Sequence, residues 1–408
     1  MSNQVLARPG TAPGWVREKL LMGLEPRAYL KSLLTPANLV IAAILAAGIP
    51  CLVLRFAKGL GAVTNLSQSY PWGLWVAFDV VSGVALAAGG YTVAAAVFIF
   101  GQKLHLPVLR AAILTGFLGY VLVLVGLIVD LGQPWRLPYQ FFLTPGTTAV
   151  MYEVGWCVFL YLIVLGLEFA PAALEWLGLD KLRRLLGAMT TGIIILGVTL
   201  STLHQSSLGA FFVMTPGKLH PLWYSPFLPV FFFISSISAG IGMVIFESWV
   251  SHRAFEDQLN PKAHVDLDGI TLALSKAGAV VLFAYFFIRL QGVAASGRWD
   301  LLPTGWGAWW GVEMLGLVLL PSFLFAAAVR RLDVRLARAA AVLTVLGVLV
   351  NRFNVSLIAF NWNLPNRYVP AAAEVLISLT LVTLGVVIFR WIVNRMPVLP
   401  GHADARNH

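Results

Sequence analysis

Ten apolar runs recur along almost the whole chain, at residues 37–57, 72–100, 108–131, 149–170, 187–209, 227–250, 270–290, 306–329, 336–360 and 371–394. A helix rises about 1.5 Å per residue, so runs of this length each cross roughly 30 Å of hydrocarbon. A backbone in lipid must satisfy its own hydrogen bonds, which leaves helices or closed barrels. Continuous apolar runs without strand-like alternation select helices. The sequence therefore predicts an all-α polytopic membrane protein of about ten transmembrane helices. The ninth is interrupted by Arg352.

Of 408 residues, 59% are hydrophobic and 11% charged, which excludes an ordinary soluble globular protein. No room remains for a separate soluble domain. We expect a tail over 1–36, a membrane domain over 37–394 and a tail over 395–408. The first tail carries Arg8, Arg17, Lys19, Arg27 and Lys31 but no apolar segment of signal-peptide type, so no cleaved leader is expected. Assigning loops alternately to the two sides puts most Lys and Arg on the side of the N-terminus, which predicts that both termini are cytoplasmic. Membrane topology thus accounts for the net charge of +10, and no nucleic-acid partner is implied.

Small residues repeat between the second run (Ser82, Gly83, Ala88, Gly89, Gly90) and the sixth (Ser236, Ser238, Ala239, Gly240, Gly242), and the fourth and eighth carry early acids, Glu153 and Glu313. These similarities predict two four-helix bundles, 72–209 and 227–360, plus flanking helices. The loops opposite the termini are rich in Pro and aromatics, as in Tyr70-Pro71-Trp72 and Pro221-Leu222-Trp223-Tyr224. They fit an interfacial aromatic belt or a docking surface.

Charged groups inside spans are costly and call for partners, water or a function. They are Asp79, Asp130, Glu153, Glu168, Glu247, Lys276, Arg289, Glu313, Arg352 and Glu374. The alternating topology places Asp130, Glu153 and Glu374 near the outer face, and Glu168 and Glu247 near the cytoplasmic face. Glu153 and Glu168 lie 15 residues apart, a rise of roughly 22 Å with only about 60° of rotation between them. They fit the two ends of a proton route, or salt bridges that lock helices.

Of seven histidines, only His204 lies within a long apolar run, at its outer end before Gln205, Ser206 and Ser207. One such histidine argues against a bis-histidine haem. It fits a helix-end cap, or a group that exchanges protons with a quinone headgroup alongside Asp130 and Glu153. The two cysteines, Cys51 and Cys157, cannot supply the four thiolates of an iron-sulfur cluster, and no metal site is expected in this chain. In Asp130-Leu131-Gly132-Gln133-Pro134-Trp135-Arg136 the residues read as a helix stop whose acid is answered by Arg136.

These residues also carry a resemblance. Tyr70-Pro71-Trp72-Gly73, Ala77-Phe78-Asp79, Ala88-Gly89-Gly90, Asp130-Leu131-Gly132, Leu167-Glu168-Phe169-Ala170-Pro171, His204-Gln205-Ser206-Ser207, His220-Pro221-Leu222-Trp223 and Val244-Ile245-Phe246-Glu247 resemble the NrfD/PsrC superfamily of haem-free, quinone-reactive membrane subunits. The His204 and His220 segments resemble most the ten-helix HybB-type branch of periplasm-facing nickel-iron hydrogenases.

The resemblance implies a subunit of the bacterial inner membrane. It would take electrons from a periplasmic ferredoxin-like iron-sulfur subunit, itself joined to the hydrogenase small and large subunits, and pass them to quinone (menaquinone or ubiquinone) near the outer face. It implies Glu153, Glu168 and Glu247 as proton carriers; for the quinone we expect His204 and Asp130 as headgroup ligands and Tyr91 and Asp79 as deeper pocket members. The same role in a sulfur-metabolising or multihaem complex is the main alternative. A secondary transporter and a b-type cytochrome are the others.

Overall fold

A computed structural model describes residues 14–143, 145–256 and 265–399; Arg8 and the outer parts of both expected tails, 1–13 and 400–408, lie outside the described residues. Among them ten helices are long and apolar enough to span a membrane: α1 (Pro36–Lys58), α2 (Trp75–Ile99), α3 (Lys103–Asp130), α4 (Val150–Leu177), α5 (Asp180–Val213), α6 (Leu228–Ala254), α7 (Leu267–Ser296), α8 (Gly305–Arg331), α9 (Val334–Ile358) and α10 (Ala372–Val393). We call the side where α1 begins and α10 ends the near face, and the other the far face. Arg390 of α10 donates to Asn38 of α1 at 2.8 Å, which ties these two ends together on the near face.

In α2–α5 each helix packs on its chain neighbour and α2 closes against α5; α6–α9 form a second such group, while α1 pairs with α10 to one side. The two groups meet along α5 and α6, where α2 passes α9, and where α2 crosses α6. Small residues permit that approach, as the lack of any hydrophobic drive between helices in lipid requires. A Cβ on Gly240 would lie 2.6 Å from Thr92 Oγ1 and 2.9 Å from the Ala88 carbonyl oxygen, and one on Gly89 would lie 3.0 Å from Val244. Gly240→Ala should therefore force α2 and α6 apart at a cost of about 1–3 kcal/mol. A fall of several degrees in the thermal midpoint of the purified protein is the expected reading, and an unchanged midpoint would contradict the close crossing.

Two helices are longer than the apolar runs that announce them. The tip where α4 meets α5 is polar, with Glu175, Asp180 and Arg183 joined by Arg183–Glu175 (3.7 Å) and Arg183–Asp180 (3.5 Å) ion pairs. Hydropathy ends at the membrane, but the helices continue through this tip to the turn at Gly178, whose φ of +74° suits glycine. As a result Glu168 sits nine residues, about 14 Å, before the end of α4; at its other end α5 also continues past its apolar run, to Val213, nine residues beyond His204.

Three spans contain wide π turns, at Trp75–Ser82 in α2, Val312–Leu319 in α8 and Asn354–Ile358 in α9, with a further one at the near end of α2, Ala95–Ile99. Such turns cluster at functional sites, and the first two carry Asp79 and Glu313. On the far face the α1–α2, α5–α6 and α9–α10 loops join into one plate. Asn361 N–H donates to the Lys218 carbonyl at 2.7 Å, His220 N–H to that of Ala359 at 2.9 Å, and Asn361 Nδ2 to that of Ser69 at 2.5 Å.

Candidate functional site

His204 is fully buried and presents neither ring nitrogen to a cavity. Nδ1–H donates to the Leu200 carbonyl at 2.7 Å and Nε2 is hydrogen-bonded to the Tyr120 hydroxyl. The Tyr120 and Tyr161 rings enclose it, with centroids 5.3 and 5.2 Å away. α3 contributes the first tyrosine and α4 the second, so the histidine sits at the centre of three helices.

Ser207, His204, Ser201 and Gly197 fall at steps of three or four on α5 and so share a stripe about 15 Å long. At its far end Ser207 Oγ donates to Glu153 Oε1 at 2.6 Å. At the other end Glu168 fills the space over Gly197, where a Cβ would lie 2.7 Å from Oε1. Both acids thus turn toward α5, as their spacing predicts. Between them the Tyr161 hydroxyl, Ser201 Oγ and Glu168 Oε2 are buried without a hydrogen-bond partner among the described residues. A row of unpaired polar atoms in a membrane core calls for water, which bridges such groups.

The two expected headgroup ligands, His204 and Asp130, and the two expected deeper members, Tyr91 and Asp79, do not line one cavity among the described residues. Asp130 lies toward α1, where Arg55 Nε donates to the Val129 carbonyl at 2.5 Å and Arg55 Nη2 to that of Leu131. Arg55, not Arg136, answers the end of α3; Arg136 is exposed. Tyr91 bonds Ser236 of α6 at 2.9 Å and is buried in the interface between the two groups. The sequence had no way to separate these positions, because equal depth does not establish a shared helix face.

Asp79 alone of the four lines a large space. A groove of about 720 Å³ runs between α2, α3, α6 and α10, past Leu86, Leu118, Leu122, Met243, Leu381 and Phe389. Asp79 marks its far end, where Ser378 Oγ donates to Oδ2 at 2.6 Å. Glu247 lines it deeper toward the near face, and its Oε1 has no partner among the described residues. Along α10 the groove extends from Leu381 to Asn394, about 20 Å. Phe246, Val250, Val382 and Val386 on its rim are 37% to 49% exposed, so it opens sideways into lipid.

A second buried cluster escaped the sequence reading as a site. Glu313 of α8 is 0% exposed and accepts from Trp223 Nε1 (2.6 Å), Asn351 Nδ2 (2.7 Å) and Asn354 Nδ2 (2.5 Å), with Arg289 Nη2 3.6 Å away. Arg352 donates to Asn351 Oδ1 and Ser235 Oγ, each at 2.8 Å, and lies 3.8 Å over the Phe232 ring. The Arg352 that interrupts the ninth apolar run was the available signal. Above the cluster, His220 packs among Trp223, Trp306 and Trp362. Burial, and then Arg298, lower its pKa to about 4, so it is neutral at physiological pH.

Residues 62–361 match the family described as Polysulphide reductase, NrfD. The chain belongs to the NrfD family. The NrfD match takes in α2–α9, both four-helix groups, and leaves out α1 and α10. One wall of the groove, with Leu381 and Arg390, is therefore contributed from outside the matched core.

Among relatives, a protein of Nitratidesulfovibrio vulgaris is 51% identical over 379 residues, covering 92% of this chain and 98% of its own length. A probable Ni/Fe-hydrogenase 2 b-type cytochrome subunit of Escherichia coli is 32% identical over 355 residues (86% of this chain, 88% of that one). A menaquinone reductase integral membrane subunit of N. vulgaris is 26% identical over 379 residues (85% and 88%). The chain is thus a multi-pass integral membrane member of a family whose named relatives are subunits of membrane redox complexes.

The E. coli relative's name invites a test for haem. The residues around His204 do not fit it as an axial ligand: one nitrogen is bound to Leu200, the other to Tyr120, and aromatic rings fill the space beside it.

Proposed function

We propose that the chain is the haem-free, quinone-reactive subunit of a respiratory complex in the bacterial inner membrane, with the near face cytoplasmic. The groove is the observation that carries this reading. It is apolar, open to lipid, long enough for an isoprenoid tail, and ends at a carboxylate. A headgroup at Asp79 lies toward the far face, within reach of electrons from a periplasmic ferredoxin-like iron-sulfur subunit docked on the loop plate. Reduction adds two electrons and two protons to the quinone. Asp79, held by Ser378, is the group placed to exchange a proton with a carbonyl oxygen.

The stripe from Glu153 through Ser207, His204, Tyr161 and Ser201 to Glu168 is then a proton-relay line coupled to turnover, and His204 acts in it rather than on the headgroup. A nickel-iron hydrogenase of HybB type is the partner favoured by the E. coli relative. The menaquinone reductase relative favours a second reading, the same subunit in a complex without hydrogenase. A photoreactive long-tailed quinone tests the site. Crosslinks should map to groove residues such as Leu122, Met243 and Leu381; labelling confined to the His204 surroundings would refute it.

A further inference from the structure

Two spaces lie in series between the near-face surface and Glu247, beside the near-face end of the groove. A surface pocket of about 510 Å³ is lined by His252, Arg253, Glu256, Asp266, Asp268 and Arg338, together with Ser248. A small cavity of about 30 Å³ lies inward of it, shares Ser248 and His252 with that pocket, and reaches Glu247 and Ser251. Glu247 and Ser251 in turn line the groove. The middle cavity has room for one or two waters and offers four polar side chains to hold them. The Glu247 carboxylate oxygen Oε1, unpartnered and buried, belongs to the residue that borders both this cavity and the groove.

Helical spacing explains the alignment. Glu247, Ser248, Ser251 and His252 fall at i, i+1, i+4 and i+5, two adjacent rows on one side of α6. In the small cavity α3 sets only Pro107, Val108 and Ala111 against them, and further in its Thr115 joins Glu247 in the groove lining. The one charged side chain that lines the groove besides Asp79 and Glu247 is Arg390, which is engaged with Asn38.

We propose that His252, Ser248 and Ser251 form a proton port that feeds Glu247, and through it the groove, from the near face. The proposal rests on the groove being the quinone site. A proton from solvent passes along serine-held water to the Glu247 carboxylate and then toward the quinone, which takes up two protons for the two electrons delivered by the iron-sulfur partner. This route is separate from the α4–α5 stripe, which borders neither cavity.

The test uses the intact membrane complex with a short-tailed quinone as acceptor and a pH dye on the near face. Ser251→Leu fills the small cavity without changing a titratable group. Turnover should fall about tenfold at pH 8 and less than about twofold at pH 6, because a hindered port is limited by proton concentration. Near-face proton uptake should fall with it.

His252→Gln, at the surface and compatible with folding, should show the same pH signature more weakly. Unchanged uptake in both variants overturns the port, and so does a loss that is equal at every pH, which marks a packing defect. If the photoreactive quinone labels outside the groove while uptake still depends on Ser251, the port stands and the quinone site falls; groove labelling with uptake indifferent to Ser251 gives the reverse.

Discussion

Asp79→Asn in the assembled complex should lower quinone turnover by about 10²-fold while dye-linked activity of the attached enzyme is unchanged. The carboxylate is the one acid at the far end of the groove, and positioned proton transfer typically contributes about 10²–10⁴-fold. Asparagine keeps an oxygen to accept from Ser378 Oγ, which now donates to Asp79 at 2.6 Å, so the π turn and the α2–α10 contact persist. The amide still hydrogen-bonds a carbonyl headgroup. KM should change little and kcat should carry the loss, the pattern of an interaction realised in the transition state.

Asp79→Ala, which removes the hydrogen bond as well, should raise KM in addition. Turnover of Asp79→Asn within about threefold of the parent would move the proton exchange to another group. His204→Phe gives a contrast: it breaks the relay between Glu153 and Glu168 but leaves the groove lining intact, so quinone crosslinking should persist.

The contrast between Asp79 and His204 shows what was legible in the sequence. Span number and span order follow from apolar length alone, because in lipid that length is set by hydrocarbon thickness. The spacing of Glu153 and Glu168 also transfers directly, since a rotation of 60° over 15 residues survives in any straight helix. What one dimension does not carry is which helix stands opposite. Asp130 and His204 were grouped by depth, yet Asp130 faces the α1 side, where Arg55 caps the end of α3, and His204 faces α3 and α4. Asp79 reaches the groove from within the π turn at Trp75–Ser82, and no residue pattern announces that turn. Helix length beyond the membrane was hidden for a related reason: hydropathy is silent where α4 and α5 continue through a charged tip.

Glu313 carries the largest expected effect on stability. Two guanidiniums and one carboxylate are buried together among α6–α9, and three further donors, Trp223, Asn351 and Asn354, end on the same carboxylate. Glu313→Ala would leave Arg289 and Arg352 uncompensated in a low-dielectric interior, and breaking such a cluster costs about 3–5 kcal/mol. The thermal midpoint of the purified protein should fall sharply, and less complex should assemble.

Glu313→Gln retains an acceptor oxygen and loses only the charge, so it should fall between alanine and the parent. The decisive comparison is the double change Glu313→Ala with Arg289→Met. Removing one surplus cation along with the anion restores apolar packing, so the double variant should recover part of the loss instead of adding to it. Additive losses would show that Arg289 is compensated by something other than Glu313. Full stability of Glu313→Ala alone would mean that water already solvates the two arginines, and that the second helix group holds a hydrated polar interior where the geometry places a dry one.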